Sequence, residues 1–234
     1  LDIYFILMSK CEQCIVRKFN TLKYLTREEL TRVSACKTSR IIKKGEALFE
    51  EGEHINGLFC IKDGICKVSK MSENGRNQII DLVQKRDLIG ERSLISDETA
   101  NLTAVALNDV EVCFIPKEEI IKDLEKNPNF TMGVLKDMAN TLKTADNVIV
   151  DMAQKTVKQR LAETLLNLHK KFGTNENGNL DIYLSREDIA NIIGTATESA
   201  IRLLSNFKKE KLITFHSKEI EILDTKNLEK IAQG

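Results

Sequence analysis

The stretch Leu184–Ile213, LSREDIANIIGTATESAIRLLSNFKKEKLI, decides how the chain is read. Ser185 is a good helix N-cap. Asp188 follows three residues on, where a carboxylate meets free amides and the positive end of the helix dipole. Ile189, Ile192 and Ile193 give this first helix an apolar face. Gly194 breaks it, Thr195 and Ala196 complete a tight turn, and Thr197 is placed to cap a second helix. Ile201, Leu203, Leu204 and Phe207 follow along that helix, with Ile201 free to face outward. Two short helices joined by a glycine-containing turn form a helix-turn-helix. Downstream, LITFHSKEIEIL (Leu212–Leu223) reads as a hairpin with its turn near Ser217-Lys218, which adds a wing.

In such a motif the N-terminal part of the second helix enters the major groove of double-stranded DNA. Here that part carries Thr197, Glu198, Ser199, Ile201 and Arg202. Glu198 and Arg202 are one helical turn apart and share a face. As a plain surface ion pair they would contribute about 0.2–0.5 kcal/mol. As readers of bases, Arg202 can bond guanine O6 and N7 while Glu198 accepts from cytosine N4. Lys208, Lys209, Lys211 and Lys218 are candidate phosphate contacts or simply solvated lysines. Ser185, Arg186 and Thr195, at the helix starts and the turn, complete the candidate DNA-binding set.

Upstream, the period is helical from Pro128. Leu135, Leu142 and Ile149 recur every seven residues, and Met138, Ala145 and Met152 do the same, offset by three. These are a and d positions of a coiled-coil seam, which predicts a homodimer; packing on the helix's own domain is the alternative. VKQRLAETLLNLHKKFG (Val157–Gly173) is an amphipathic helix, and GTNENGN (Gly173–Asn179) a polar loop. Between about residues 40 and 117 short apolar segments alternate with glycine-containing turns. Asp63-Gly64 and Asn74-Gly75 read as hairpin turns. This spacing predicts a β-sandwich or barrel. Thr26 and Glu29 form a capping box ahead of a short helix. The expected organisation is an N-terminal extension at 1–20, a β sensor domain at 21–128, a dimerisation helix at 129–153 and a winged helix-turn-helix at 154–234.

The chain of 234 residues has 35 basic and 35 acidic side chains. A zero net charge is neutral on nucleic acid, because the local field at the contact surface decides. Cys11, Cys14, Cys36, Cys60, Cys66 and Cys113 all lie in the first half. In a chain of this size, rich in Lys and Glu, they read as reduced cytoplasmic thiols rather than a disulfide frame. Cys60 and Cys66, in strand-like surroundings, read as core. No apolar run reaches the roughly 20 residues needed to span a bilayer, so no membrane partner is expected. LDIYFIL (Leu1–Leu7) reads as an extension upstream of a natural start at Met8. His54, His169 and His216 are far apart, and no nucleophile elbow or phosphate-binding glycine loop is present, so no enzyme is expected.

From Cys11 onward the order of parts resembles the Crp/Fnr regulators. IIKKGEALFEEGE (Ile41–Glu53) resembles the first strands of their cyclic-nucleotide-binding-type β-roll. DLIGERSL (Asp87–Leu94) resembles the roll's phosphate-facing motif, and LSREDIANIIGTATESAIRLL (Leu184–Leu204) their DNA-reading segment with its Glu-x-x-x-Arg pair. The resemblance implies an α+β chain: a β-roll or jelly-roll sensor, a long dimerisation helix and a winged helix-turn-helix. It implies a two-fold operator and RNA polymerase as a partner. The effector pocket would involve Gly90, Glu91, Arg92, Ala100 and Asn101. Cyclic-AMP receptors of the family carry Arg followed by Ser or Thr where this chain has Ala100 and Asn101. A cyclic phosphate would lack its charge-assisted partner there, so cAMP is not the expected effector. Fnr-type members hold a [4Fe–4S] cluster. Cys11 and Cys14 in CEQC, and Cys113 in EVCFIP, match three of its ligand positions; the remaining N-terminal position falls at Asn20, and Cys36 could fill it only at a spacing that is not the family's. A lone C-x2-C also suits half a zinc site or a redox pair.

Overall fold

The computed structural model describes residues 10–234. The expected extension and start at Met8 lie outside the described residues. The chain forms two compact units, one comprising the chain through Arg76 and Ile80–Leu142, the other Asn77–Ile79 and Lys143–Gly234.

The first unit opens with three 3-10 turns, Cys11–Gln13, Val16–Phe19 and Thr21–Tyr24, followed by α1 (Arg27–Cys36). The capping box at Thr26 and Glu29 is formed. Eight strands follow: β1 (Thr38–Ile42), β2 (Ala47–Phe49), β3 (Gly57–Asp63), β4 (Ile65–Met71), β5 (Asn77–Gln84), β6 (Leu88–Ile89), β7 (Thr103–Ala106) and β8 (Val110–Pro116). α2 (Glu91–Ser96) interrupts them, and α3 (Lys117–Lys126) and the long α4 (Pro128–Gln154) close the series. The strands make two four-stranded sheets, β1-β8-β3-β6 and β2-β7-β4-β5.

β4 and β5 do form a hairpin, but through the wider loop Ser72–Arg76, where Ser72 N–H donates to Arg76 O at 2.8 Å, Gly75 N–H donates to Ser72 O at 2.9 Å, and Gly75 but not Asn74 has positive φ. Asp63-Gly64 is not, because β3 and β4 belong to different sheets. Gly64 instead carries the chain across the sandwich at φ +90°, and a Cβ there would sit 2.6 Å from Asp109 O. Both dipeptides mark turns, but neither Asp63 nor Asn74 takes the positive φ of a type I′ turn, and pairing is a long-range property that a dipeptide does not carry.

Alternation divides the apolar residues between two cores. Phe59, Ile61, Cys66, Val68, Val110 and Val112 point between the sheets. Leu58, Cys60, Cys113 and Ile115 point to the outer face, where Cys11, Val16, Leu22, Val33, Ile120, Phe130 and Val134 cover them.

The second unit holds the distal half of α4, then α5 (Val157–Phe172), α6 (Arg186–Ile193), α7 (Thr197–Lys209), β9 (Ile213–His216), β10 (Glu219–Ile222) and α8 (Thr225–Gln233). Leu161, Leu165, Ile189, Ile193, Leu204, Phe207, Ile213 and Leu228 are its buried core. The hairpin β9–β10 turns at Ser217-Lys218, as the sequence suggested.

Candidate functional site

α6, the turn and α7 place the DNA-reading candidates. Ser185 Oγ accepts from Asp188 N–H at 3.0 Å, and Asp188 Oδ2 accepts from Ser185 N–H at 3.1 Å, a complete capping box. Gly194 ends α6 in the left-handed region at φ +64°, where L side chains are strained. α7 begins one residue earlier than expected. Ala196 is the N-cap, and its carbonyl accepts from Ala200 N–H at 3.1 Å, so Thr197 is the first helical residue and not the cap. Ala200, Leu204 and Phe207 are buried, which turns Glu198, Ile201 and Arg202 outward. Ile201 is 45% exposed, as are several other isoleucines of the described residues. Arg202 donates to Ser199 Oγ at 3.2 Å, holding its guanidinium over the first turns of α7. Thr195, Thr197 and Ser199 are half-buried, and Lys208 and Lys218 are exposed.

Arg186 differs from the other candidates. Its guanidinium stacks on the Phe215 ring at 4.3 Å, and desolvation lowers its pKa. Lys208 approaches the same ring at 5.6 Å, so two cations stand against one aromatic side chain of the wing.

A residue the sequence reading passed over sits behind the motif. Arg160 of α5 donates to Ile193 O at 2.8 Å, to Lys155 O at 2.7 Å and to Met152 O at 3.3 Å. It therefore satisfies carbonyls at the ends of both α6 and α4, which otherwise lack intrahelical partners. An arginine inside an amphipathic pattern gives no local sign of this task.

On α4, Leu135, Met138, Leu142, Ala145 and Ile149 are exposed, Leu142 at 64% and Ile149 at 66%, as is every other residue from 135 to 150, so the heptad spacing alone groups them. Met152 is partly covered, its sulfur lying 3.1 Å from where a Cβ on Gly194 would stand.

The effector-pocket residues divide. Gly90 caps α2 with φ +107°. Ala100 is buried and tied by backbone bonds to Gly52 and Glu53. Arg92 reaches Asn101 Oδ1 at 3.4 Å, so a cation does stand beside the position where cyclic-AMP receptors keep theirs. Glu91 retains some solvent exposure as a residue, yet its carboxyl is enclosed by protein. Burial, with Asp137 and Asp87 nearby, pushes its pKa up to about 7.

The thiols gather. Cys11 and Cys113 are buried in the outer-face core, and Cys14 packs against it. Cys113 Sγ lies 3.3 Å from Ser39 Oγ and 3.8 Å from Lys37 Nζ. Cys11 N–H donates to Ser34 Oγ at 3.1 Å, and burial raises its thiol pKa against the pull of Lys37. Cys60 is buried as expected, but beside Cys113 rather than in an inert interior. Cys66 lies in the inter-sheet core and Cys36 is exposed, so neither joins the group. Among the described residues no three His, Cys, Asp or Glu side chains are close enough to share a single metal ion. No helix among the described residues is long and apolar enough to cross a membrane.

Two family models match the chain, a cyclic nucleotide-binding domain over residues 39–127 and a Crp-like helix-turn-helix domain over residues 159–231. The transcriptional activator protein anr of Pseudomonas aeruginosa is 28% identical over 227 residues, 96% of this chain and 93% of the relative. The fumarate and nitrate reduction regulatory protein of Vibrio cholerae is 29% identical over 226 residues, 95% and 90% of the two chains. Among solved structures, a Crp/Fnr-family transcriptional regulator from Thermus thermophilus superposes with a TM-score of 0.67 at 22% identity, covering 84% of this chain and 98% of that one. The two relatives are named as a transcriptional activator and a regulatory protein, and this chain is a regulator rather than an enzyme. With its β sensor unit and helix-turn-helix in this order, the chain belongs to the Crp/Fnr family of DNA-binding transcription regulators.

Proposed function

We propose that this protein is a cytoplasmic, homodimeric, redox-responsive transcription regulator that reads its signal at an iron–sulfur cluster held by Cys11, Cys14 and Cys113. The observation that carries this reading is the convergence of the C-x2-C turn with Cys113 in one apolar pocket. Thiolates are the ligands such clusters require, and an apolar surround with a nearby lysine suits a buried anionic group. The Vibrio cholerae relative is named for fumarate and nitrate reduction, which is redox chemistry. When bound, the cluster would supply an oxidant-labile link between the N-terminal segment and the sheet. Cyclic AMP is not the expected effector: Ala100 stands where the family's arginine would be, and Arg92, although it reaches Asn101, comes from a different position.

The chain's own residues supply the rest. Phe130 and Val134 of α4 share the outer-face core with Cys11 and Cys113. A rearrangement of that core is therefore felt at the start of the helix that carries Leu135, Met138, Leu142, Ala145, Ile149 and Met152. Pairing of that stripe makes the dimer and sets the spacing of two recognition helices. They meet half-sites roughly 34 Å apart, one turn of DNA. The signal shifts the population between a spacing that fits and one that does not. Arg202 and Glu198 read bases, with Ile201 against a thymine methyl. Ser185, Arg186, Thr195, Thr197, Ser199, Lys208 and Lys218 hold the backbone, and RNA polymerase is the partner at the promoter. In this reading residues 21–128 sense, 129–153 dimerise and 154–234 bind DNA.

The test is iron and acid-labile sulfide in protein purified without oxygen, with the visible spectrum before and after air. Stoichiometric iron and sulfide that bleach in air are expected. Absence of both under strict anaerobic handling would remove the cluster from the account.

A further inference from the structure

The N-terminal segment is one sulfur short. The position that would carry its third thiolate is Asn20, and the fold shows what Asn20 does instead. It is 7% exposed, accepts from Leu22 N–H at 3.1 Å, and donates through Nδ2 to Arg86 O at 3.0 Å. The same amide nitrogen lies 3.6 Å from Cys60 Sγ. The residue standing in for the absent cysteine therefore touches a sulfur that arrives from another part of the chain.

Cys60 is positioned by the sheet. It is the register partner of Cys113 across the antiparallel pair β3 and β8, and both residues face the outer core. Directly opposed residues of such a pair bring their side chains together on one face. Cys60 also lies within electrostatic reach of Cys11 and Cys14 as well as Cys113, each of which would raise its thiol pKa further. Cys66, buried as well, is raised by desolvation alone and has no thiol neighbour.

We propose that Cys60 is the fourth thiolate, completing with Cys11, Cys14 and Cys113 a four-cysteine site for an iron–sulfur cluster. Two ligands come from the N-terminal turn and two from adjacent strands, in place of three from the N-terminus and one from the sheet. Asn20 is a positioning residue that braces the Cys60 sulfur. The inference rests on the proposed cluster, and the experiment separates the two.

Wild-type protein, Cys60→Ser and Cys66→Ser are purified without oxygen, and iron, sulfide, visible absorption and melting of the cluster-free forms are recorded. Loss of iron, sulfide and the visible band in Cys60→Ser, with both retained in Cys66→Ser, is the expected result. Restoration of the cluster in Asn20→Cys/Cys60→Ser, which returns a thiolate to the N-terminal segment, is expected too. That rescue is one a purely structural role for Cys60 would not give, and it holds even if Cys60→Ser alone folds poorly. A Cys60→Ser protein with undiminished iron, sulfide and spectrum would overturn the assignment of Cys60 while leaving the cluster intact. Wild type without iron and sulfide, or with zinc alone, would overturn the cluster itself and the assignment with it.

Discussion

The DNA-reading unit and the thiol pocket are built in opposite ways. The first draws its candidate contact residues from one continuous run, Ser185 to Lys208, with Lys218 close behind. The second gathers Cys11, Cys14, Cys60 and Cys113 from a turn and two strands that meet only when the sheets form. A recognition helix can change its side chains without disturbing its neighbours, since Glu198, Ile201 and Arg202 face outward. The thiol pocket is part of a core, so a change there is also a change in packing. In the proposed reading, readout is thus separable from sensing, and sensing is bound up with the helix proposed to pair the subunits.

The largest effect is expected where the two meet. Leu142→Glu places a charge in the exposed stripe of α4 without touching either core. Sedimentation should show monomers, and DNA affinity should fall by on the order of 10²-fold or more as the linked half-site is lost. A variant that still dimerises would remove the seam from the account.

Within the DNA-reading unit, Arg202→Ala should lose about 1–3 kcal/mol per base contact and relax one position of the operator. Its iron content and response to air should stay at wild-type levels, which is what separability means here. Equal weakening on every sequence would make Arg202 a phosphate contact instead.

Glu91 sharpens the contrast from the sensor side. Its pKa of about 7 lies above the ordinary 4.5, because burial disfavours the charged form and Asp137 and Asp87 add to it, with Arg92 opposing. Below the ordinary value both folded and unfolded chains hold the proton, and there is no effect. Between the two values only the folded chain holds it, so stability falls as pH rises, and above about 7 the penalty is complete. Glu91→Gln should therefore melt higher than wild type at pH 8, by an amount on the order of 1–3 kcal/mol, and equally at pH 4. A gap independent of pH would show that packing, not ionisation, sets it. Smallest of all, Lys218→Ala should lower the salt dependence of DNA binding by about one unit of slope, with sequence preference unchanged.

How much was legible in advance follows from the same division. Capping at Ser185, the break at Gly194 and the outward face of α7 are local properties, and they stand in the sequence. The N-cap of α7 at Ala196 is not legible, because a threonine advertises a cap and an alanine does not. Asp63-Gly64 declared a turn but not which strands it joins, and Cys60 looked like any half-strand cysteine until β8 lay beside it. Arg160 carried no local signal, since its partners are the ends of helices on either side of it in the sequence.

The central claim is that redox state at the thiol pocket governs the fit of the recognition helices to DNA. It is tested most directly by the affinity of anaerobically purified protein for an operator it has selected from random duplexes, before and after air, beside Cys113→Ala. The account predicts that air changes the wild-type affinity and leaves the Cys113→Ala affinity unmoved. An identical wild-type affinity before and after air would contradict it.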